Sequence, residues 1–363
     1  MESVVNFSLR IVKTIFAAGD DVCTVINGSL QQFSAIQVIL ATVVIVVFLR
    51  KMASTLYEWR RLGIKAVCFR FAVKLPFVRT RVEMEKQKYG AENWARYLKQ
   101  RTDPVKEVPK EAMAMEAIES RMKKGDEFCR KAWVDGGRLS GAVYHPEDQH
   151  WDQISAIMRM FITVNPLHCD EFIPVTQMEA EIIRMSLNLY RGDANTAGIG
   201  TSGGTESILL AMLAYREQGK AEKGIEYPNI VASETAHAAF DKAGFYFGME
   251  VRKVPVTADL KADVAAMKRA IDSNTVVIVS SGPEYPYGNY DPLPEIAALA
   301  QRYNIGCHLD CCLGGFVNPF AEEAGYKLPY VYDFRQPGVT SISADTHKYA
   351  FGPKGYSVCL FRN

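Results

Sequence analysis

The stretch Ser341-Ile342-Ser343-Ala344-Asp345-Thr346-His347-Lys348-Tyr349-Ala350 decides the fold when it is considered together with two segments upstream. It places a histidine and a lysine directly after a short apolar strand. The first upstream segment, Thr201-Ser202-Gly203-Gly204-Thr205, is a glycine-rich turn that opens an apolar helix. The second, His308-Leu309-Asp310, ends an apolar strand with an aspartate. Each feature alone is weak, but their order in one chain predicts one site built from the ends of several strands.

These three features match the requirements of pyridoxal phosphate. A lysine amine such as that of Lys348 forms a Schiff base with the cofactor aldehyde. Backbone N–H groups at the helix start hold a phosphate. A buried carboxylate such as that of Asp310 keeps the pyridine nitrogen protonated, which makes the ring an electron sink. The apolar loop after Lys348 is expected to desolvate the amine and lower its pKa.

Each feature also has a plain structural interpretation. The glycine-rich turn is equally typical of an ordinary helix cap, and Asp310 could form a structural salt bridge. His237 follows a predicted strand at the ligand-binding edge of the sheet, where its ring could stack on a cofactor, but a lone histidine in such a loop is more often structural. A metal site formed by His308, Asp310 and the following cysteines is excluded, because adjacent strand residues point to opposite faces.

The chain around these motifs alternates between strands and helices. Helices are predicted over 179–190, 205–215, 238–247, 263–271 and 293–303. Strands are predicted over 229–232, 251–256, 275–280, 306–310, 340–343 and 357–362. This alternation indicates an α/β fold with a mostly parallel sheet covered by helices on both faces.

Composition narrows the classes of protein. The chain has 363 residues, 48% of them hydrophobic, which is typical of a globular core. A formal net charge of +1 gives no reason to expect a nucleic-acid partner. None of the eight cysteines forms a C-x-x-C pair, so we interpret them as reduced thiols in a domain facing the cytosol.

Residues 33–49 predict a single transmembrane helix. The segment FSAIQVILATVVIVVFL contains no charge, and its 17 residues reach the short end of a membrane span, about 17–25. A buried core helix is disfavoured because apolar residues crowd all faces, and a cleaved signal peptide is disfavoured because the run starts late. The basic flank over 50–81 places the following chain in the cytosol.

The predicted organisation therefore has four parts. Residues 1–32 form a lumenal tail with glycosylation sequons at Asn6 and Asn27. The membrane helix spans 33–49, and residues 50–110 form a basic juxtamembrane linker that suits an anionic membrane surface. Residues 111–363 form the pyridoxal-phosphate-binding catalytic domain.

The motifs of this chain resemble those of the sphingosine-1-phosphate lyase family, which has the fold-type-I architecture of pyridoxal phosphate enzymes. The most specific matches are SGAVY (140–144), NPLH (165–168), TSGGTES (201–207), LGGF (313–316), GVTSISADTHKYA (338–350) and PKG (353–355). The membrane anchor ahead of such a domain supports the resemblance. The resemblance implies a homodimer in the endoplasmic reticulum membrane, with the catalytic domain in the cytosol.

The resemblance also implies roles for individual residues. Lys348 would carry the Schiff base, Asp310 would pair with the pyridinium and His237 would stack on the ring. The residues implied around the cofactor phosphate are Gly203, Gly204, Thr205, Ser343 and His347. The residues implied at the substrate phosphate and in the catalytic pocket are Tyr144, His168 and Lys354. The implied reaction is retro-aldol cleavage of a phosphorylated long-chain base to a long-chain aldehyde and phosphoethanolamine.

Some positions depart from the family pattern. Cys311 stands where alanine is usual, Cys169 where proline is common, and Tyr287 where histidine is frequent. Family members continue well beyond the last predicted strand, so the large domain is expected to be incomplete and the C-terminal small domain absent. Two alternatives stay open: a related amino-acid decarboxylase, and a truncated protein that acts only as a binding partner.

Overall fold

The computed structural model describes residues 75–100, 107–130, 141 and 143–362, together with the single positions Leu49, Met52 and Ala72. The predicted tail over 1–32 and the predicted membrane helix lie outside these residues, apart from Leu49. Among the described residues, no helix combines the length and apolar character that crossing a membrane requires.

Among the described residues, four helices precede the sheet. They are α1 (Pro76–Gln100), α2 (Met115–Arg130), α3 (Asp148–Phe161) and α4 (Ile173–Leu189). The chain separates into two units, Met1–Gly90 and Ala91–Asn363, with the division inside α1. Helix α1 lies within the segment predicted as a basic linker. The sheet and the predicted site residues belong to the second unit.

A seven-stranded mixed sheet forms the centre of the second unit. Its strands are β1 (Thr196–Thr201), β2 (Asn229–Ser233), β3 (Glu250–Val254), β4 (Thr275–Ser281), β5 (Gly306–Asp310), β6 (Ser341–Ala344) and β7 (Ser357–Arg362). The intervening helices are α5 (Gly204–Lys223), α6 (Ala239–Phe247), α7 (Val264–Ala270), α8 (Leu293–Tyr303) and α9 (Asn318–Ala321). The strand order is β1-β7-β6-β5-β4-β2-β3. Strand β7 is antiparallel to both neighbours, and the remaining pairs are parallel.

Alternation along the central strands creates two apolar layers. Ile230 and Val277 pack with residues of α5 and α6 in one cluster. The next residues along the same strands, Val231 and Ile278, pack with residues of α7 and α8 in the other cluster. Both faces of the sheet are therefore covered, which is why the strands read as continuous apolar runs. The predicted α/β fold with a mixed, mostly parallel sheet is confirmed.

The direction of the strands assembles the candidate site. Strands β1, β2, β5 and β6 run the same way, so their carboxyl ends meet at one edge of the sheet. Open α/β sheets bind ligands at this edge. The glycine-rich turn follows β1, and His237 lies in the loop after β2. Asp310 is the last residue of β5, and Lys348 lies in the loop after β6, so all four features are at the same edge of the sheet.

Candidate active site

A cavity of about 310 Å³ lies at this carboxyl edge. Its lining comes from the glycine-rich turn, the start of α5 and the loops after β2, β5 and β6. The residues are Ser202, Gly203, Gly204, Thr205, Glu206, Ile208, His237, Cys312, Asp345, His347 and Lys348. A larger cavity, about 1020 Å³, is lined by α4 and by residues between 318 and 335. It contains none of the predicted site residues, so the smaller cavity is the candidate active site.

The glycine-rich turn brings the backbone close to the opposite wall of the cavity. Gly203 has a φ of 148°, a conformation that side chains with a Cβ rarely adopt. A Cβ on Gly204 would come within 2.6 Å of Asp345 Oδ1 and 2.7 Å of Cys312 Sγ. Helix α5 starts at Gly204, so its free N–H groups point at this space. The turn therefore has the form of a phosphate-binding helix start, as predicted from the sequence.

Lys348 projects into the cavity and forms an ion pair there. Its Nζ lies 2.9 Å from Asp345 Oδ2, and the side chain of Asp345 is only 3% exposed. Asp345 Oδ1 is buried without a hydrogen-bond partner among the described residues. Since an unpartnered buried oxygen is costly, its place beside the glycine turn is consistent with a ligand site.

The prediction that the apolar surroundings lower the pKa of Lys348 is wrong. Burial does lower that pKa, but nearby negative groups outweigh it, and the net shift is upward. The carboxylates of Asp345 and Asp310 raise the pKa of Lys348, and Cys312 would do so only as a thiolate. Burial raises the pKa of Cys312 well above its usual value, so Cys312 is a neutral thiol at neutral pH and the Asp345 carboxylate is the effective partner. The sequence indicated burial of the amine but not the contact with a charged carboxylate.

Asp345→Asn is expected to move the pH dependence of cofactor attachment to lower pH. Only the unprotonated amine reacts with an aldehyde, and the substitution removes the carboxylate that favours protonated Lys348. The visible absorbance of the bound cofactor, followed from mildly acidic to alkaline pH, gives the midpoint. Asp241→Asn breaks a similar pair outside the cavity, at 3.1 Å from Lys253, and should leave the midpoint unchanged. A midpoint that stays in place or rises in Asp345→Asn would contradict the expectation.

Asp310 lies at the end of β5 and is 6% exposed. Its Oδ1 accepts hydrogen bonds from the Cys312 N–H at 3.0 Å and from the Ser343 hydroxyl at 3.3 Å. Both bonds go to the same oxygen. Within the described part of the chain, Oδ2 has no hydrogen-bond partner, but Asp310 is not among the residues that line the cavity, so its role at a ring N–H remains a prediction.

His237 and His347 border the same cavity. Nδ1 of His237 accepts a hydrogen bond from the Ala239 N–H at 3.1 Å, and its ring meets that of Tyr285 edge to face at 5.3 Å. His347 Nδ1 donates to the Tyr356 carbonyl at 2.8 Å, and its Nε2 lies 3.6 Å from Asp345 Oδ2. Both rings are thus held by backbone groups, which fixes their orientation at the cavity wall.

Tyr144 and Lys354 lie together beside Lys348. The Lys354 Nζ is 4.6 Å from the centre of the Tyr144 ring, and the ring meets that of Tyr349 at 5.0 Å. Burial and the positive charge of Lys348 lower the pKa of Lys354. Burial raises the pKa of Tyr144, and the charge of Lys348 opposes that rise. The structure therefore brings a second cation and a phenol close to the predicted Schiff-base lysine.

Five predicted site residues are not among those that line the cavity: Tyr144, Asp310 and Lys354, which lie close to lining residues, and also His168 and Ser343. His168 is exposed in the turn between α3 and α4 and does not line the cavity. Ser343 is fully buried behind Asp310 rather than at the glycine-rich turn. Their roles at the substrate and at the cofactor phosphate remain predictions. Conversely, Glu206, Cys312 and Asp345 line the cavity without having been predicted; the position of Asp345 three residues before Lys348 was the available signal.

The described residues fit pyridoxal phosphate. The glycine turn supplies N–H donors in a space that a Cβ would fill, Lys348 supplies an amine, and Asp310 supplies a free carboxylate oxygen. Asp345 Oδ1 supplies an unpartnered acceptor in the same cavity.

Curated relatives are sphingosine-1-phosphate lyases. The chain is 45% identical over 307 residues to sphingosine-1-phosphate lyase 1 of Mus musculus, which covers 84% of this chain and 53% of that protein. It is 39% identical over 300 residues to sphingosine-1-phosphate lyase of Saccharomyces cerevisiae, and the match covers 81% of this chain and 51% of that protein. The chain thus spans about half the length of these two relatives.

Solved structures and a family model agree with this similarity. The sphingosine-1-phosphate lyase of Burkholderia pseudomallei superposes with a TM-score of 0.69 at 37% identity, over 72% of this chain and 62% of that one. Glutamate decarboxylase of Lactobacillus brevis superposes with a TM-score of 0.58 at 25% identity, over 73% of this chain and 62% of that one. Residues 162–363 match the model of the pyridoxal-dependent decarboxylase conserved domain. The chain therefore belongs to the pyridoxal-dependent decarboxylase family, and its cofactor is pyridoxal phosphate.

Proposed function

We propose that this chain is a lyase polypeptide that cleaves phosphorylated long-chain bases, such as sphingosine 1-phosphate, to a long-chain aldehyde and phosphoethanolamine. The observation that best supports a phosphorylated substrate is the contact between Lys354 and the Tyr144 ring, close to Lys348. A substrate that has its own phosphate needs a cation in addition to the helix start that holds the cofactor phosphate. The names of the relatives at 39–45% identity agree with a phosphorylated base as the substrate.

Several residues of the chain would bind the cofactor, each at a different part of it. Lys348 would hold the cofactor through its amine, the N–H groups of Gly204 and Thr205 would hold its phosphate, and Asp310 would face its ring nitrogen. His237 would pack against the ring. When bound, pyridoxal phosphate supplies an electron sink for the electrons released as the bond breaks.

The remaining residues would act on the substrate. Lys354 would bind the substrate phosphate through a charge-assisted hydrogen bond. His168 would accept the proton of the substrate hydroxyl, and Tyr144 would donate a hydrogen bond at the reacting end. The raised pKa of Tyr144 keeps its phenol protonated at neutral pH, so it is suited to donate rather than to accept.

The proposal predicts aldehyde release from a phosphorylated long-chain base. The purified chain, supplied with pyridoxal phosphate, should form a long-chain aldehyde and phosphoethanolamine in equal amounts. Lys354→Ala should raise KM more than it lowers kcat if Lys354 binds the substrate phosphate in ground and transition states alike. Carbon dioxide release from glutamate or another amino acid would favour the decarboxylase alternative. The absence of both products, with cofactor bound, would favour a non-enzymatic binding partner.

We also propose that residues 33–49 anchor the chain in the endoplasmic reticulum membrane, with the tail over 1–32 in the lumen and the catalytic domain in the cytosol. The uncharged apolar run and the basic residues that follow it support this orientation. Carbonate washing should leave the chain in the membrane pellet, whereas a chain starting at Arg50 should shift to the supernatant. Protease added to sealed microsomes should digest the segment carrying Lys348. Protection of that segment would reverse the topology.

We also propose that the chain forms a homodimer through an exposed apolar patch. Helix α3 and the turn after it expose large apolar side chains, among them Met160 at 73%, Ile162 at 80% and Leu167 at 81%. Such a patch is typical of an interaction surface. Light scattering of the detergent-solubilised chain gives the mass of the assembly and decides between one copy and two.

A further inference from the structure

A continuous set of buried side-chain hydrogen bonds runs behind Asp310. Strand alternation places His308 and Asp310 on one face of β5. The register of the parallel pair places Ser341 beside His308 and Ser343 beside Asp310 on β6. All four side chains are buried, and three of them are fully inaccessible. Four polar groups therefore share a small interior space next to the carboxylate.

Short contacts join these groups into one chain. Ser343 Oγ donates to Asp310 Oδ1 at 3.3 Å. His308 Nε2 lies 3.1 Å from Ser343 Oγ, and His308 Nδ1 lies 2.7 Å from Ser341 Oγ. The Tyr215 hydroxyl lies 2.6 Å from Ser341 Oγ. Both ring nitrogens of His308 are thus occupied, one on the side of Asp310 and one on the side of α5.

The carboxylate fixes the direction of every bond in this chain. An ionised carboxylate only accepts, so Ser343 must donate its single proton to Asp310. Ser343 Oγ then has only lone pairs left, and it accepts from His308 Nε2–H and from the Cys312 thiol at 3.3 Å. His308 Nδ1 consequently accepts from the Ser341 hydroxyl. This assignment requires a neutral imidazole with its proton on Nε2.

The surroundings of His308 are consistent with the neutral ring. Burial lowers the pKa of His308 to about 4, although the charge of Asp310 opposes that shift. The ring packs edge to face against Phe240 at 5.8 Å, on the apolar side of the sheet.

We propose that His308 is a positioning residue that holds the Ser343 hydroxyl as a donor to Asp310 and so fixes the orientation of that carboxylate for the cofactor ring. The proposal rests on the cofactor role given to Asp310 under the proposed function. His308 is not among the residues that line the cavity, and the hydrogen bonds connect its ring to Asp310 and to Cys312 through Ser343. Its effect is therefore transmitted through Ser343.

The first test determines the tautomer of His308 in the full chain. The sequence contains six histidines, so ¹⁵N-histidine labelling gives few signals, and His308→Gln assigns the one that matters. We expect His308 to be the neutral Nε2–H tautomer with or without pyridoxal phosphate. In Ser343→Ala, Nε2 loses its acceptor and its link to Asp310, and the two tautomers should mix. A proton on Nδ1, or a mixture already in the wild-type chain, overturns the proposal.

The second test measures cofactor affinity by equilibrium dialysis of pyridoxal phosphate. His308→Leu keeps the bulk of the side chain but no donor, so the Ser343 hydroxyl can turn away from Asp310. If its hydrogen bond to that charged group is lost, the folded variant should bind the cofactor about tenfold more weakly. His308→Gln keeps an N–H near the position of Nε2 and should recover most of that loss. Phe240→Leu is the matched packing control, because it disturbs the same cluster without removing a hydrogen bond; it should lower the melting temperature and leave the affinity of the folded protein unchanged.

The outcomes separate this proposal from the proposed function. Wild-type affinity in folded His308→Leu overturns the positioning role while leaving the cofactor assignment intact. An equal loss in Phe240→Leu also overturns it, because packing alone would then explain the effect. A wild-type chain that binds no pyridoxal phosphate contradicts the cofactor role itself, and the tautomer measurement still decides whether His308 and Ser343 are arranged as described.

Discussion

Lys348→Ala is expected to abolish covalent attachment of pyridoxal phosphate. The Lys348 amine is the lysine amine that lines the cavity, where it pairs with Asp345 opposite the glycine-rich turn. Reduction of the wild-type chain with borohydride should fix the cofactor to one peptide, and that peptide should contain Lys348. In the variant no peptide should carry the label, and lyase turnover should fall by on the order of 10²-fold or more, the range of a positioned proton-transfer group.

A lysine outside the cavity provides the control. Lys268 is exposed near the end of α7, so Lys268→Ala should keep the wild-type label and turnover. A label on Lys354 in the wild-type chain would be informative, because that amine is a neighbour of Lys348. It would move the Schiff base to the residue that the proposal gives to the substrate phosphate.

The sequence predicted most of the sheet because burial on both faces leaves a clear pattern. Strand β4 is a run of apolar residues bounded by polar ones, and its seven positions are all buried. Strand β1 was not predicted. Its sequence, TAGIGT, contains two glycines and only one large apolar residue, so local propensity opposes a strand. Pairing along its whole length with β7, from Thr196–Arg362 to Thr201–Ser357, supplies what the local sequence lacks.

The sequence predicted those residues of the candidate site that belong to recognisable motifs along the chain. It did not predict the contacts that form between these motifs in the folded structure. Gly204 and Asp345 are far apart in sequence, and only the fold shows that a Cβ on one would collide with the carboxylate of the other. Asp345, by contrast, stands only three residues before Lys348, but the sequence does not show that its carboxylate meets the amine, which explains the wrong direction predicted for the pKa of Lys348. His168 illustrates the reverse case, since a motif match alone did not bring its ring to the cavity.

The buried set behind Asp310 could not have been predicted as a site either. Serines at 341 and 343 appear in the sequence as ordinary polar residues of a short strand. Their register with His308 and Asp310 makes them a hydrogen-bonded group, and register depends on pairing between separate segments.

Asp310→Asn is expected to reduce lyase turnover by well over tenfold while the chain still folds. The amide oxygen can still accept from the Cys312 N–H and the Ser343 hydroxyl, so the local structure has a substitute acceptor. What disappears is the negative charge that keeps the ring nitrogen protonated. Each loss of about 1.4 kcal/mol in transition-state stabilisation costs tenfold in rate. Turnover and the visible spectrum of the bound cofactor, measured on the same sample, give the effect.

Asp291 is the matched control because it is a buried aspartate with a structural task. It is 1% exposed, and its two oxygens accept backbone N–H groups of Ala262 and Ser281 at 2.8 Å each. Asp291→Asn turns one acceptor into a donor facing an N–H, which should destabilise the fold by about 1–3 kcal/mol. The two variants should therefore separate: Asp291→Asn lowers the melting temperature and keeps the cofactor spectrum, whereas Asp310→Asn changes the spectrum and turnover with little loss of stability. Near-normal turnover in Asp310→Asn, with a melting temperature as low as that of Asp291→Asn, would assign Asp310 to the fold and not to the chemistry.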